Sequence, residues 1–197
     1  MNSIEILTKI SERLIKATMM HSNFTDLMKY LGFTGLSKTQ EYQYTDENYE
    51  MVCVNRYAVE HLGKMVKVGK VSSKSYIPTE FADLDRASVN EYDKSDVIRY
   101  FIETWITWET QTKEIYSNYC TELNANHDVA TELFVEELVK GVDDELKRAS
   151  EIGITFRDFN YNLSTLAILD RNYYNEYCNK MTRLFKKMRK EVSYELR

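Results

Sequence analysis

Five side chains that can bind a metal ion or carry a proton occupy positions where the helical repeat of the sequence calls for apolar residues. They are His21, Glu47, His61, Glu109 and Glu145. Burying an unpaired carboxylate costs several kcal/mol, so each must be paired, protonated, hydrated or bound to a metal ion. Carboxylates and imidazoles from facing helices are the ligands of dimetal sites in helical bundles. The pattern therefore predicts either a metal site or a set of satisfied polar groups in the core.

Other catalytic chemistry has no recognisable pattern in this chain. The sequence contains no glycine-rich phosphate loop, no HExxH, no nucleophile elbow and no CxxC. Its three cysteines, Cys53, Cys120 and Cys178, are odd in number and far apart, which indicates reduced thiols rather than a zinc knuckle or a redox pair. His127 stands directly before a predicted helix cap, and we interpret it as a surface residue.

Long helices must position these side chains. Apolar residues recur every three or four positions over five stretches, and one proline and six glycines in 197 residues leave little material for turns. The stretches are 4–31, 37–68, 95–123, 129–152 and 163–195. Asp128 is the predicted cap of the fourth helix. Gly69 and Gly153 are predicted to end the second and the fourth.

The connection of residues 70–94, which contains Pro78, is longer than the usual loop of a compact domain. A loop of this length is predicted to cross the bundle from end to end, so that the third helix runs parallel to the second. The predicted fold class is all-α: a four-helix bundle with one long crossover and an additional long C-terminal helix. We expect residues 1–197 to form a single domain.

Several short features occur in a characteristic order. Within residues 105–146, Ala130-Thr131 is followed by Phe134-Val135 and then by Asp143-Asp144-Glu145; earlier in the chain, Gly69-Lys70-Val71 precedes Ile77-Pro78. In this order they resemble the third and fourth helices of the ferritin family, the end of its second helix and its crossover. The resemblance covers residues 1–152 and implies a ferritin-like bundle. The connection and long helix of residues 153–197 depart from it.

The resemblance also implies where the iron ligands of that family would lie. Three would be kept: His61, Glu109 and Glu145. Three would be replaced by apolar residues: Ala17, Ala58 and Val142. His21, one turn from Ala17, is a further candidate ligand. Because so few ligands cannot readily bridge two irons, we expect no ferroxidase-type enzyme and no cofactor, with a single divalent ion such as iron as the alternative.

The C-terminal end is basic, although the chain carries a net charge of −5. Residues 180–197 include seven basic and two acidic residues. This charge complements the dipole at a helix C-terminus, or it forms a docking surface for an acidic partner. Tyrosine and arginine are favoured at protein interfaces. The residues predicted to contact a partner are Tyr173, Tyr174, Tyr177, Arg183, Lys186, Lys187, Arg189 and Lys190.

The size of the chain and its bias toward Tyr, Asn, Lys and Glu resemble small proteins of large staphylococcal phages. That resemblance implies a non-enzymatic host-takeover protein that binds domain 4 of the housekeeping sigma factor of RNA polymerase and inhibits host transcription. This protein-binding role is the first prediction. A ferritin-like metal-binding protein, for iron oxidation or storage, is the alternative, and a self-assembling bundle is the third.

Composition bounds the expected location and the partners of the chain. The first residues lack the basic region and apolar run of a signal peptide, and no stretch approaches the length of a membrane span. We therefore expect a cytoplasmic protein, in the host cytoplasm if a phage encodes it, without a membrane partner. The acidic net charge gives no general footprint for nucleic acid, and we expect no direct specific contact with it.

Overall fold

The computed structural model describes residues 1–71 and 91–195, with side chains described at residues 1–71 and 94–189. The regular structure of these ranges is five α-helices, without a β-strand, so the all-α prediction is confirmed. The helices are α1 (Ser3–Leu31), α2 (Thr34–Leu62), α3 (Glu91–Ala125), α4 (Val129–Asp158) and α5 (Leu163–Glu195). The predicted crossover falls largely on residues 72–90, which lie outside the described residues. No helix of the described ranges is apolar over a length that would cross a lipid bilayer.

The end of α2 differs from its prediction. The helix stops at Leu62, not at residue 68, because Gly63 adopts a left-handed backbone with φ of 60°. The N–H of Lys64 then donates to the carbonyl of Ala58 at 3.1 Å, and the N–H of Gly63 donates to that of Val59 at 3.2 Å. These bonds satisfy carbonyls that the helix would otherwise leave open at its end. The expectation that Gly69 ends this helix was therefore wrong.

The predicted stop at Gly153 was also wrong. The helix α4 continues through this glycine to Asp158, and the chain turns at Asn160 and Tyr161, whose φ values are 49° and 52°. Gly153 is buried, and a Cβ atom there would lie 3.0 Å from Cγ2 of Ile102 on α3. The glycine thus allows close packing of α4 against α3 and does not terminate the helix.

One set of contacts joins the start of α1, the end of α2, α3 from Ser95 onward, and all of α4. Asp128 caps α4 as predicted, since its carboxylate accepts a hydrogen bond from the N–H of Thr131 at 3.1 Å; it also accepts one from the hydroxyl of Ser3 on α1. The guanidinium of Arg13 lies 4.0 Å from the centre of the Trp108 ring, and its Nε donates to Oγ1 of Thr112 at 2.7 Å. These contacts fasten α1 to α3 and α4.

A second set of contacts joins the remainder of α1, the first part of α2, and α5. The carboxylate of Asp170 on α5 accepts hydrogen bonds from the backbone N–H groups of Gly35 at 2.9 Å and Leu36 at 2.7 Å. A side chain from another helix thereby satisfies donors that the first turn of α2 would leave open. Further along, Tyr49, Met181 and Leu184 form a buried apolar cluster between α2 and α5.

Candidate metal centre

His21 is the imidazole of the candidate centre. It lies on the inner face of α1, and its exposed fraction is 0%. The neighbouring turns of the same face carry apolar residues, namely Leu14, Ala17, Phe24 and Met28. Nδ1 of His21 lies 2.7 Å from Oε1 of Gln40 on α2. An amide oxygen only accepts hydrogen bonds, so Nδ1 is the donor in this contact. In the neutral imidazole, this tautomer leaves the lone pair on Nε2, which is then the nitrogen that can bind a metal ion. A second-sphere hydrogen bond of this kind orients a histidine ligand toward a metal ion.

One buried face of α2 carries polar residues at positions where a core helix usually carries apolar ones. Gln40, Gln43 and Glu47 are spaced by three and four residues, which places them on one face of the helix, and all three are buried. Three buried polar side chains in two turns are costly unless each finds a partner. These buried polar residues explain why α2 is the least amphipathic of the five described helices.

Glu109 is the buried carboxylate of α3. The surrounding residues of its stripe are Trp105, Thr112 and Tyr116, all of them buried, and Glu109 itself is 1% exposed. The helical repeat of the sequence predicted this inward position correctly. A carboxylate at such a depth requires a compensating positive charge, a proton or hydrogen-bond donors.

One ligand atom from each of His21, Glu47 and Glu109 lies within 4.8 Å of the other two. Ions bound by nitrogen and oxygen sit about 2.0–2.2 Å from each ligand, so two ligand atoms of one ion are roughly 3–4 Å apart. Each of the three residues thus offers one ligand atom to a group that could hold a metal ion. Two carboxylates and a neutral imidazole also balance the charge of a divalent cation.

The grouping overlaps in part with the predicted ligands. It contains His21 and Glu109, and its third member, Glu47, was recognised as an inward polar residue but not as a ligand. His61 and Glu145 are not members of it. His61 lies in the last turn of α2, exposed to solvent and stacked on Tyr57 with ring centres 4.6 Å apart. Glu145 is buried on α4, with an exposed fraction of 9%.

A pair of irons does not fit this set of donors. Ala17, Ala58 and Val142, the positions at which the ferritin resemblance would require further ligands, are buried among the apolar residues of the core. Dimetal centres in helical bundles use carboxylates from all four helices, including bridging ones. Within the part of the chain that the structure describes, the three grouped side chains offer donors for one ion.

The predicted partner surface on α5 is partly buried. Tyr177 is 1% exposed and packs edge-on against Tyr42, with ring centres 5.8 Å apart, so it belongs to the core and is not available to a partner. Tyr173 is half-buried. Five members are exposed: Tyr174, Arg183, Lys186, Lys187 and Arg189. The side chain of Lys190 lies outside the described residues. For the exposed members, contact with a partner stays a prediction.

Comparison with solved structures identifies the fold. The chain superposes on an open-pore ferritin from Archaeoglobus fulgidus with a TM-score of 0.71 and 16% identity, over 87% of this chain and 94% of that one. An engineered closed form of the same ferritin gives a TM-score of 0.70 at 16% identity, over 87% and 94%. A PmFTN variant soaked in iron gives 0.68 at 14% identity, over 85% and 96%. No protein-family model and no curated protein sequence matches the chain. At these identities the likeness establishes the fold, which is ferritin-like.

Proposed function

We propose that this chain is a ferritin-like metal-binding protein whose buried centre holds one divalent transition-metal ion, with iron as the first candidate. His21 supplies Nε2, and Glu47 and Glu109 each supply a carboxylate oxygen. The observation that carries the proposal is the grouping of these three ligand atoms within 4.8 Å of one another. The exposed fractions of the three residues are 0%, 7% and 1%, so the grouping is not a chance cluster of acidic side chains on the surface.

Iron is the first candidate for two reasons. A mixed set of imidazole and carboxylate ligands suits Fe²⁺, and it suits Mn²⁺ and Zn²⁺ as well. Solved structures with the same fold include ferritins and a PmFTN variant that was soaked in iron. The proposal is one of metal binding. Oxidation of iron by a pair of ions is not part of it, since Ala17, Ala58 and Val142 are apolar at positions where the ferritin resemblance would place further ligands.

The candidate centre supports the alternative function, metal binding, and not the first prediction, binding of a host protein. Binding of a host protein, with domain 4 of a sigma factor as the suggested partner, has no support from the fold or from the comparisons. Ferritin-like neighbours and the buried ligand grouping support metal binding instead. An exposed basic face on α5 is compatible with either function and does not discriminate between them.

Metal titration of the purified chain tests the proposal. The protein is stripped with a chelator and titrated under anaerobic conditions with Fe²⁺, and separately with Zn²⁺, while bound metal is counted by elemental analysis. We expect about one ion per chain, and we expect Glu47→Gln and Glu109→Gln each to weaken binding by at least about tenfold.

Glu145→Gln is the matched control, because Glu145 is a buried carboxylate that does not belong to the grouping. This variant should bind metal as the wild type does. If the wild type retains no metal, or if Glu47→Gln and Glu109→Gln bind as tightly as the wild type, the proposed function is wrong. If Glu145→Gln alone weakens binding, the centre lies elsewhere than we propose.

A further inference from the structure

One buried amide on α2, that of Gln43, has no hydrogen-bond partner among the described residues. Gln43 has an exposed fraction of 0%, and neither its Oε1 nor its Nε2 contacts a partner among the described residues. Burying an amide without compensating hydrogen bonds is strongly unfavourable. Native proteins rarely retain such a group unless an ion, a ligand or a water molecule satisfies it.

The position of Gln43 on α2 indicates which of these it meets. Gln40, three residues earlier, is hydrogen-bonded to His21, and Glu47, four residues later, is a member of the ligand grouping. Residues three and four apart lie side by side on one face of a helix. Gln43 is therefore placed between a residue that orients one ligand and a residue that is another ligand.

We infer that Oε1 of Gln43 is the fourth donor to the ion, which gives one four-coordinate centre of one imidazole nitrogen and three oxygens. This inference rests on the proposed function and adds the composition of the site. Side-chain amide oxygens bind divalent ions such as Ca²⁺ and Mn²⁺, so the group is chemically able to act as an oxygen ligand. Being neutral, it leaves the charge balance between the ion and the two carboxylates unchanged. The same assignment explains why the amide of Gln43 is buried without a hydrogen-bond partner among the described residues. When the ion binds, Oε1 contacts it, and the energetic cost of burying the amide is offset.

The inference predicts that substitution of Gln43 has opposite effects on the two states of the protein. Gln43→Leu removes an unsatisfied polar group from the metal-free protein and should raise its melting temperature. In the metal-bound protein the same change removes a ligand, and the affinity for Zn²⁺ should fall by about tenfold or more. Gln43→Glu keeps the length of the side chain, adds a charged oxygen donor, and should bind Zn²⁺ more tightly than the wild type.

The experiment measures Zn²⁺ affinity by competition with a chromophoric chelator, together with the visible spectrum of the Co²⁺-loaded protein. The d–d bands of Co²⁺ report on the ligands and the coordination number independently of any activity. Ser11→Ala is the matched control: the hydroxyl of Ser11 is also buried without a partner among the described residues, ten positions before His21 on α1. It should leave the affinity and the Co²⁺ spectrum unchanged.

The outcomes separate the inference from the function on which it rests. If the wild type binds one ion and Gln43→Leu changes neither the affinity nor the Co²⁺ spectrum, Gln43 is not a ligand and the inference is wrong, while the proposed function stands. If the wild type binds two ions per chain, the single four-coordinate centre is wrong. If the wild type binds none, both fail. Should Gln43→Leu not fold, unchanged affinity in Gln43→Glu refutes the inference by itself.

Discussion

Replacing Asp170 by alanine tests how α5 holds the start of α2. The carboxylate is buried and accepts hydrogen bonds from the N–H groups of Gly35 and Leu36, which have no acceptor within their own helix. Loss of an N-cap costs about 0.5–2 kcal/mol, and a buried donor left without its partner costs about 1–3 kcal/mol. Because these costs overlap, we expect Asp170→Ala to lower the free energy of unfolding by about 2–4 kcal/mol.

For a chain of this length each kcal/mol corresponds to about 2–4 °C in melting temperature, so the expected decrease is roughly 4–16 °C. Thermal and urea unfolding followed by circular dichroism measure it. Asp170→Asn keeps an acceptor oxygen and should lie between the alanine variant and the wild type. If Asp170→Ala unfolds at the temperature of the wild type, the two hydrogen bonds do not hold the start of α2 and the reasoning is wrong.

The pH dependence of the same residue provides a second check. Burial raises the pKa of Asp170 above its ordinary value of 3.8, and the hydrogen bonds from Gly35 and Leu36 offset this only in part. The folded chain then holds the proton at a pH where the unfolded chain has released it. The contribution of Asp170 to stability is therefore largest below 3.8 and decreases as the pH rises through the raised pKa. The stability of the wild type relative to Asp170→Asn should fall over that interval; a rise would show that burial is not the dominant cause.

Two further predictions concern a close approach and a cap. A Cβ atom on Gly35 would overlap the backbone carbonyl of Asp170, so Gly35→Ala should destabilise the fold by about 3 kcal/mol or more in urea unfolding. Gly69→Ala is the control and should be nearly neutral, because the atom nearest to a Cβ there is 3.9 Å away. If both variants lowered the free energy of unfolding equally, close packing would not be the reason why position 35 requires glycine. Asp128→Ala should cost about 1 kcal/mol near neutral pH through loss of the α4 cap. Burial alone would raise the pKa of Asp128, but hydrogen bonds from Ser3 and Thr131 outweigh it and lower the pKa below 3.8. The stability that Asp128 adds is thus present above 3.8 and lost as the pH falls through the lowered pKa, so the difference between wild type and Asp128→Ala should shrink in acid; a constant difference would argue against the charged cap.

The helices were largely predictable because their apolar repeat is long and regular. The range of α5 was predicted as residues 163–195, and this agrees with the structure. The end of α2 was not predictable in the same way, since Met65 and Val68 continue the apolar repeat beyond the true end of the helix. A pattern of apolar residues cannot show whether Gly63 or Gly69 adopts the left-handed conformation, because this depends on the local backbone.

The members of the centre were predictable one by one, but not as a group. His21, Glu47 and Glu109 were all identified as polar residues on inward-facing stripes, and all three are buried. Which of five such residues come together depends on the rotation and register of separate helices, and the apolar repeat of each helix does not specify either. Carrying ligands across from the ferritin resemblance placed the α2 ligand at His61, which the structure puts on the surface.

Anomalous diffraction from crystals of the metal-loaded protein tests the central claim most directly. Data collected at the absorption edge of the added ion, Fe²⁺ under anaerobic conditions or Zn²⁺, locate each bound ion independently of any assumed ligand. We expect one site per chain, about 2.0–2.2 Å from Nε2 of His21 and from a carboxylate oxygen of Glu47 and of Glu109. Two adjacent ions, or an absence of density among these three residues at saturating metal, would contradict it.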